Sequence, residues 1–256
     1  MIDTHSHILP FLDDGAESLS QSLWFVKAAA AQGVDTIFVT PHLCDGVFNC
    51  TKEKILHAYT ILVGALCAQG ISTRILPGAE IRVNHDLVAE YDRGNLLTLN
   101  DSGNWLLLEL PDIFMAKAVA GMIRQLDERG VTPIIAHAER NRMILNQPEL
   151  INDFTCNGAV IQITAGSLTG DFGKHSMKAA KAMVAMDQVF CLGSDIHPGR
   201  QYRMADARKI LIKLAGRAKA DQLTLENPTV ILQDLWFSYK KDRQLQSAAP
   251  ALLPGT

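Results

Sequence analysis

Short apolar runs alternate with helical patterns from Ile2 to about Tyr239, and nothing else in the 256-residue chain restricts its fold so strongly. Residues 18–32 read as a helix with Leu19, Leu23, Val26 and Ala30 on one face, closed by Gly33; residues 34–40 read as a buried strand rich in branched side chains. The order continues with a helix over 52–69, an extended run over 72–76, a short helix near 86–92, a strand over 105–110, a helix over 116–129 and a strand over 132–136. Further helices are expected at 148–157, 173–186, 204–214 and 227–239, and strands at 159–163 and 188–192. Strands that are apolar along their whole length bury both faces, so the pattern predicts a parallel sheet covered by helices, an α/β fold. No Pro-, Gly- or Ser-rich linker divides the chain, and one domain over 1–256 is expected, with a loose tail from about Gln244.

The side chains at the strand ends carry the chemistry. His5 and His7 are two apart after the first apolar run, a spacing that puts both imidazoles on one face of an extended segment. His42, Glu80, Glu109, His137, Asp195 and His197 each stand at or just beyond the carboxyl end of an expected strand. In a barrel of parallel strands that rim is the active face. Any one of these residues alone reads as a solvated acid or a core histidine; their recurrence on strand after strand reads as a metal site. Imidazole and carboxylate donors without thiolates suit zinc, manganese or iron, and several carboxylates allow more than one ion. Such ions acidify water and neutralise phosphoryl oxygens, which is hydrolytic chemistry.

Composition removes other classes. A net charge of −3 offers no basic track for nucleic acid, and no apolar run is long enough to cross a bilayer. Five cysteines, Cys44, Cys50, Cys67, Cys156 and Cys191, form no Cys-Xaa-Xaa-Cys pair and read as reduced thiols. None has the Cys-Xaa5-Arg spacing of thiol-based tyrosine phosphatases. With the histidine pair so near the start, no signal peptide is expected, and a cytoplasmic enzyme is the default. His57, His85 and His175 read as ordinary polar residues.

Taken together, the stretches Ile2-Asp3-Thr4-His5-Ser6-His7, Asp13-Asp14-Gly15, Thr40-Pro41-His42, Pro77-Gly78-Ala79-Glu80, Leu108-Glu109, Ala136-His137-Ala138-Glu139-Arg140 and Gly193-Ser194-Asp195-Ile196-His197 resemble the PHP superfamily. More narrowly, they resemble its bacterial manganese-dependent tyrosine-protein phosphatases of capsular and exopolysaccharide loci. The resemblance implies a distorted, TIM-like (β/α)7 barrel holding two to three divalent ions, manganese first, with iron or zinc as alternatives. One ion would be held by His5, His7, Glu80 and Asp195, a second by Glu80, Glu109 and His137, and a third by Asp14, His42 and His197. Asp14 enters on the resemblance alone.

Arg140 and Arg200, each three residues after a ligand histidine, are the candidates for gripping phosphate, with Arg203 as an alternative to Arg200. Arg140, Arg200, Asp195 and His197 are thus the expected catalytic set. The implied activity is hydrolysis of phosphotyrosine, on the tyrosine-rich tail of a bacterial tyrosine kinase. Rival readings are another PHP phosphoesterase, such as a histidinol-phosphate phosphatase or an exonuclease, an amidohydrolase barrel, or a non-catalytic phosphotyrosine-binding regulator. No nucleic-acid partner and no membrane insertion are expected, and the sequence fixes no oligomeric state.

Overall fold

The computed structural model describes residues 1–43, 46–48 and 50–233. Nine parallel strand segments run through them: β1 Ile2–Asp3, β2 Thr36–Val39, β3 His42–Leu43, β4 Arg74–Pro77, β5 Glu80–Arg82, β6 Trp105–Glu109, β7 Thr132–Ile135, β8 Val160–Thr164 and β9 Cys191–Gly193. They pair in the orders β1-β2-β4 and β3-β5-β6-β7-β8-β9. Two of the nine are continuations of the strand before them. Thr40 and Pro41 separate β2 from β3, and Gly78 and Ala79 separate β4 from β5. Proline has no amide hydrogen to place in a ladder. Across the first break Thr40 N–H donates to Ser6 O at 2.8 Å, and Glu80 N–H donates to Pro41 O at 3.0 Å. The segments therefore make seven staves, as the resemblance implied. The last stave meets the first through a Ser6–Ile196 bridge, with Asp195 N–H donating to His5 O at 2.8 Å.

Alternation along the staves decides what lies inside. Ile37, Val39, Ile75, Leu106, Leu108, Ile135, Ile161 and Ile163 join the core under the helices. Their neighbours Phe38, Leu76, Trp105, Leu107 and Ile134 form a second buried cluster within the curl of the sheet. This inner cluster includes residues from the first half of each stave, and the polar positions Thr40, His42, Glu80 and Glu109 continue the same inward series beyond it.

The helices follow the expected punctuation. Leu19–Ala31 starts at Ser18, whose hydroxyl accepts from Gln21 N–H at 3.2 Å, and Gly33 at φ 78° turns the chain into β2. Lys52–Ala68 starts in the same way at Thr51. Ala116–Glu128 buries Val119, Ile123 and Leu126, one turn apart each time. Two short helices were not expected. Arg142–Asn146 forms because the Asn141 side chain accepts from Met143 and Ile144 N–H, and Ala165–Thr169 leaves β8 with no intervening loop. The expected strand over 188–192 lies later, at Cys191–Gly193; the helix expected over 204–214 reaches a break at Gly216, at φ 86° and ψ 166°, and helical residues resume from there to Asp221. The closing helix is described only as Asn227–Gln233; its expected remainder and the tail from Gln244 lie outside the described residues, as does Cys44. No helix among the described residues is long and apolar enough to cross a membrane.

Candidate metal centre

The strand ends bring nine side chains to one basin. Donor atoms of His5, His7 and Glu80, of Glu80, Glu109 and His137, and of His7, Asp14, His42 and His197 form three groups, each within 4.8 Å. Asp195 closes on the first group, its Oδ1 lying 3.6 Å from His5 Nε2 and 3.7 Å from His7 Nε2. Glu80 is the hub. One of its oxygens lies 3.2 Å from both His5 Nε2 and His7 Nε2 and 3.5 Å from His42 Nδ1, while the other meets His137 Nε2 at 2.7 Å.

Backbone geometry aims two of these residues. His137 and Asp195 are held in the left-handed region, at φ 34° and 50°. Non-glycine residues avoid that region, and such strain gathers at functional sites. The approach of the first and last staves also needs a small residue. A Cβ on Gly193 would lie 2.6 Å from His5 Cβ, so the segment that presents Asp195 passes directly against His5.

Hydrogen bonding sets the imidazole tautomers. Gln162 Nε2 donates to Thr4 Oγ1 at 2.8 Å, which turns its Oε1 toward His5 Nδ1, also at 2.8 Å. His5 must therefore carry its proton on Nδ1. Asp13 accepts from His7 Nδ1 at 2.7 Å and imposes the same tautomer there. In the neutral imidazoles both Nε2 atoms are then bare, yet they face each other at 3.0 Å. Two lone pairs repel at that distance unless a cation lies between them and their carboxylates. The buried His42 Nδ1 also lacks a hydrogen-bond partner. This donor set, neutral imidazoles plus carboxylates with second partners fixing their orientation, fits divalent metal ions.

The electrostatics agree. Burial disfavours charge on His7 and His137, but Asp13 and Glu80 beside His7, and Glu80 beside His137, hold the two imidazoles above their ordinary range. Burial likewise opposes charge on Glu80 and Asp195, yet the surrounding imidazoles, with Arg140 near Asp195, keep both carboxyls below theirs. The bond to His197 brings Asp14 down to about 2. Glu109 moves the other way, raised by burial and then by the charge of Glu80. Positive charge is what this basin demands, and protons and divalent ions compete to supply it.

Asp13 and Gln162 escaped the sequence reading. The clue for Gln162 is an amide in the middle of an apolar buried strand; for Asp13 it is the acid adjoining Asp14. Replacing Asp13 with alanine removes the acceptor for His7 Nδ1 and for His42 N–H at 3.0 Å. Metal affinity is expected to fall by about 10- to 100-fold, measured by titrating the ion into chelator-stripped protein. Undiminished affinity would reject that orienting role.

The arginines lie on one flank. Arg140 and Arg200 both reach Asp195 Oδ2, Arg200 at 2.8 Å, and both guanidinium groups lie over the ring of Phe172, at 4.1 and 5.2 Å. Arg203 instead donates to Asp171 at 3.0 Å and pairs with Asp206 at 3.6 Å. His57, His85 and His175 are exposed and belong to none of the three groups. Among the described cysteines, burial pushes the Cys191 thiol up to about 12, which disqualifies it as a thiolate nucleophile at neutral pH.

Comparison with known proteins places this geometry. Tyrosine-protein phosphatase YwqE of Bacillus subtilis is 34% identical over 236 residues, covering 91% of this chain and 92% of YwqE. A crystal structure from work on YwqE of Bacillus subtilis and CpsB of Streptococcus pneumoniae, described as metal-dependent tyrosine phosphatases, superposes with a TM-score of 0.86. It is 34% identical and covers 91% of this chain and 94% of the other. Histidinol phosphate phosphatase of Lactococcus lactis shares the fold, with a TM-score of 0.54 at 13% identity, over 88% of this chain and 95% of its own. Residues 1–233 match the family described as capsular polysaccharide synthesis, CpsB/CapC, and the chain belongs to that family.

Proposed function

We propose that the chain is a metal-dependent protein-tyrosine phosphatase whose substrate is a phosphotyrosine-bearing kinase of capsular or exopolysaccharide synthesis in the cytoplasm. The observation that carries the reading is the convergence of His5 Nε2 and His7 Nε2, 3.0 Å apart, on one oxygen of Glu80 at 3.2 Å from each, with Arg140 and Arg200 beside them on Asp195. His5, His7, Asp14, His42, Glu80, Glu109, His137, Asp195 and His197 would hold two to three divalent ions, manganese as the resemblance implies, with donors that suit iron and zinc as well. Divalent ions bound there would bring a water to a pKa near ~7 and neutralise charge on phosphoryl oxygens.

The chain's own residues position the ester. Arg140 and Arg200 present planar forks that match two phosphate oxygens at once. Phe172 holds both guanidinium groups at the flank of the basin, so little reorganisation is needed as charge develops on phosphorus. A tyrosyl oxygen, with an ordinary pKa of about 10, leaves far more readily than an alkoxide, and no cysteine nucleophile is required.

Stripping the protein with a chelator is expected to abolish phosphate release from a phosphotyrosine peptide, and manganese is expected to restore it. Histidinol phosphate and single-stranded DNA, offered beside the peptide, should turn over at least about a hundredfold more slowly. Faster hydrolysis of either, or phosphotyrosine turnover indifferent to chelation, rejects the reading.

A further inference from the structure

Among the described residues, the four most exposed large apolar side chains are Ile113 at 86%, Met115 at 77%, Phe11 at 76% and Val47 at 70%. All four stand in loops that follow β1, β3 and β6, the strands that deliver His7, His42 and Glu109 to the basin. Met115 is also the N-cap of Ala116–Glu128; the other exposed large apolar residues lie on helices or, for Met186, at a helix C-cap. The most water-exposed large apolar side chains thus stand in loops at the same strand ends that carry the polar site.

Phe11 is the most telling of the four. It sits between His7 and Asp13, in a loop closed by Phe11 N–H donating to Ala16 O at 2.9 Å and Ala16 N–H donating to His7 O at 3.0 Å. Its φ is 64°, a conformation that glycine adopts readily and a bulky aromatic residue avoids. An aromatic ring held in strained backbone and pointed into water gains nothing within the folded chain. Phe48 links this rim to the site, its ring stacked on His42 at 5.7 Å and 8°.

We propose that Phe11, Val47, Ile113 and Met115 form an apolar collar that docks the residues flanking phosphotyrosine in a polypeptide substrate, selecting sequences with apolar neighbours. The proposal rests on the phosphatase reading above. Burial of such side chains beside an already formed site adds affinity without new polar contacts. Apart from Asp13 and Asp14, which face the basin, the loops hold Glu17 and Asp112 and, over 8–18 and 110–115, no lysine or arginine. That charge favours a neutral or basic peptide and disfavours an anionic lipid surface, which attracts basic segments.

The test compares the full-length manganese-loaded protein with Phe11→Gly and with the double variant Ile113→Ser/Met115→Ser. Three substrates are used: a phosphotyrosine peptide with leucine and isoleucine flanks, the same peptide with glycine and serine flanks, and p-nitrophenyl phosphate. Wild type is expected to prefer the apolar peptide by about tenfold in kcat/KM, mainly through KM. Each variant should reduce that preference to within about twofold, while turnover of p-nitrophenyl phosphate, which has no flanks, moves by less than about twofold. The Tm of Phe11→Gly should not fall, since glycine relieves the backbone. An equal wild-type rate on both peptides overturns the collar, as does a parallel loss on p-nitrophenyl phosphate. Sedimentation of wild type, but not the variants, with phosphatidylcholine vesicles would assign the surface to a membrane instead, and a wild-type dimer split by the substitutions would assign it to a second copy. If wild type hydrolyses p-nitrophenyl phosphate but neither peptide, the polypeptide substrate is rejected. If it hydrolyses none of the three, the phosphatase reading itself fails and the collar with it.

Discussion

Replacing Glu80 with alanine is expected to lower phosphotyrosine turnover by at least about a thousandfold, equivalent to about 4 kcal/mol of barrier. Its two oxygens face four histidines of the basin, His5, His7, His42 and His137. Its loss removes a donor from two of the three ligand groups at once. The bound-ion content measured by elemental analysis should fall together with the rate. The rise in Tm that a specific ligand gives the native state should shrink as well. Glu80→Gln keeps the shape and one acceptor but removes the charge, and it should lose ions while remaining folded. Full ion content with normal turnover in either variant would eliminate Glu80 as the shared ligand.

Arg140→Ala is expected to cost about 100- to 1,000-fold in kcat, the usual consequence of losing one preorganised donor to developing negative charge. The distinguishing result is that ion content stays near wild type, because Arg140 reaches the basin through Asp195 and donates no ligand of its own. Arg140→Lys should recover only a small part, since an ammonium cannot fork across two oxygens or lie flat on Phe172 as a guanidinium does. Arg200→Ala should be milder. Its guanidinium also donates to the main-chain carbonyl of Asp195 at 2.8 Å, so part of its role is to brace that loop. A variant at Arg140 that loses its ions along with its rate would instead make the arginine a structural partner of Asp195.

Much of this was legible in the chain because strand ends are cheap to recognise and the chemistry falls on them. His42, Glu80, Glu109 and His137 could be placed on a common rim from their position after apolar runs, without knowing any contact. The breaks at Thr40-Pro41 and Gly78-Ala79 were not legible as strand interruptions, since the extensions β3 and β5 are too short to show a period. The left-handed backbone at His137 and Asp195 was hidden too, because histidine and aspartate enter that region only occasionally and tertiary packing must impose it. Choosing between Arg200 and Arg203 needed the partner of Arg203, Asp171, which lies 32 positions upstream on another loop. Gln162 and Asp13 act through atoms they share with histidines, a relation that spacing along the chain does not encode.

The bridge between the first and last staves also has a meaning in time. His5 and Ser194, which hydrogen-bond across that seam, are 189 positions apart. A ribosome releases the opening histidines long before the aspartate and histidine that complete their basin. Until the final strand has emerged and docked, a growing chain holds imidazoles without their counterparts, and hydrolysis starts only once the whole ring of strands has been made.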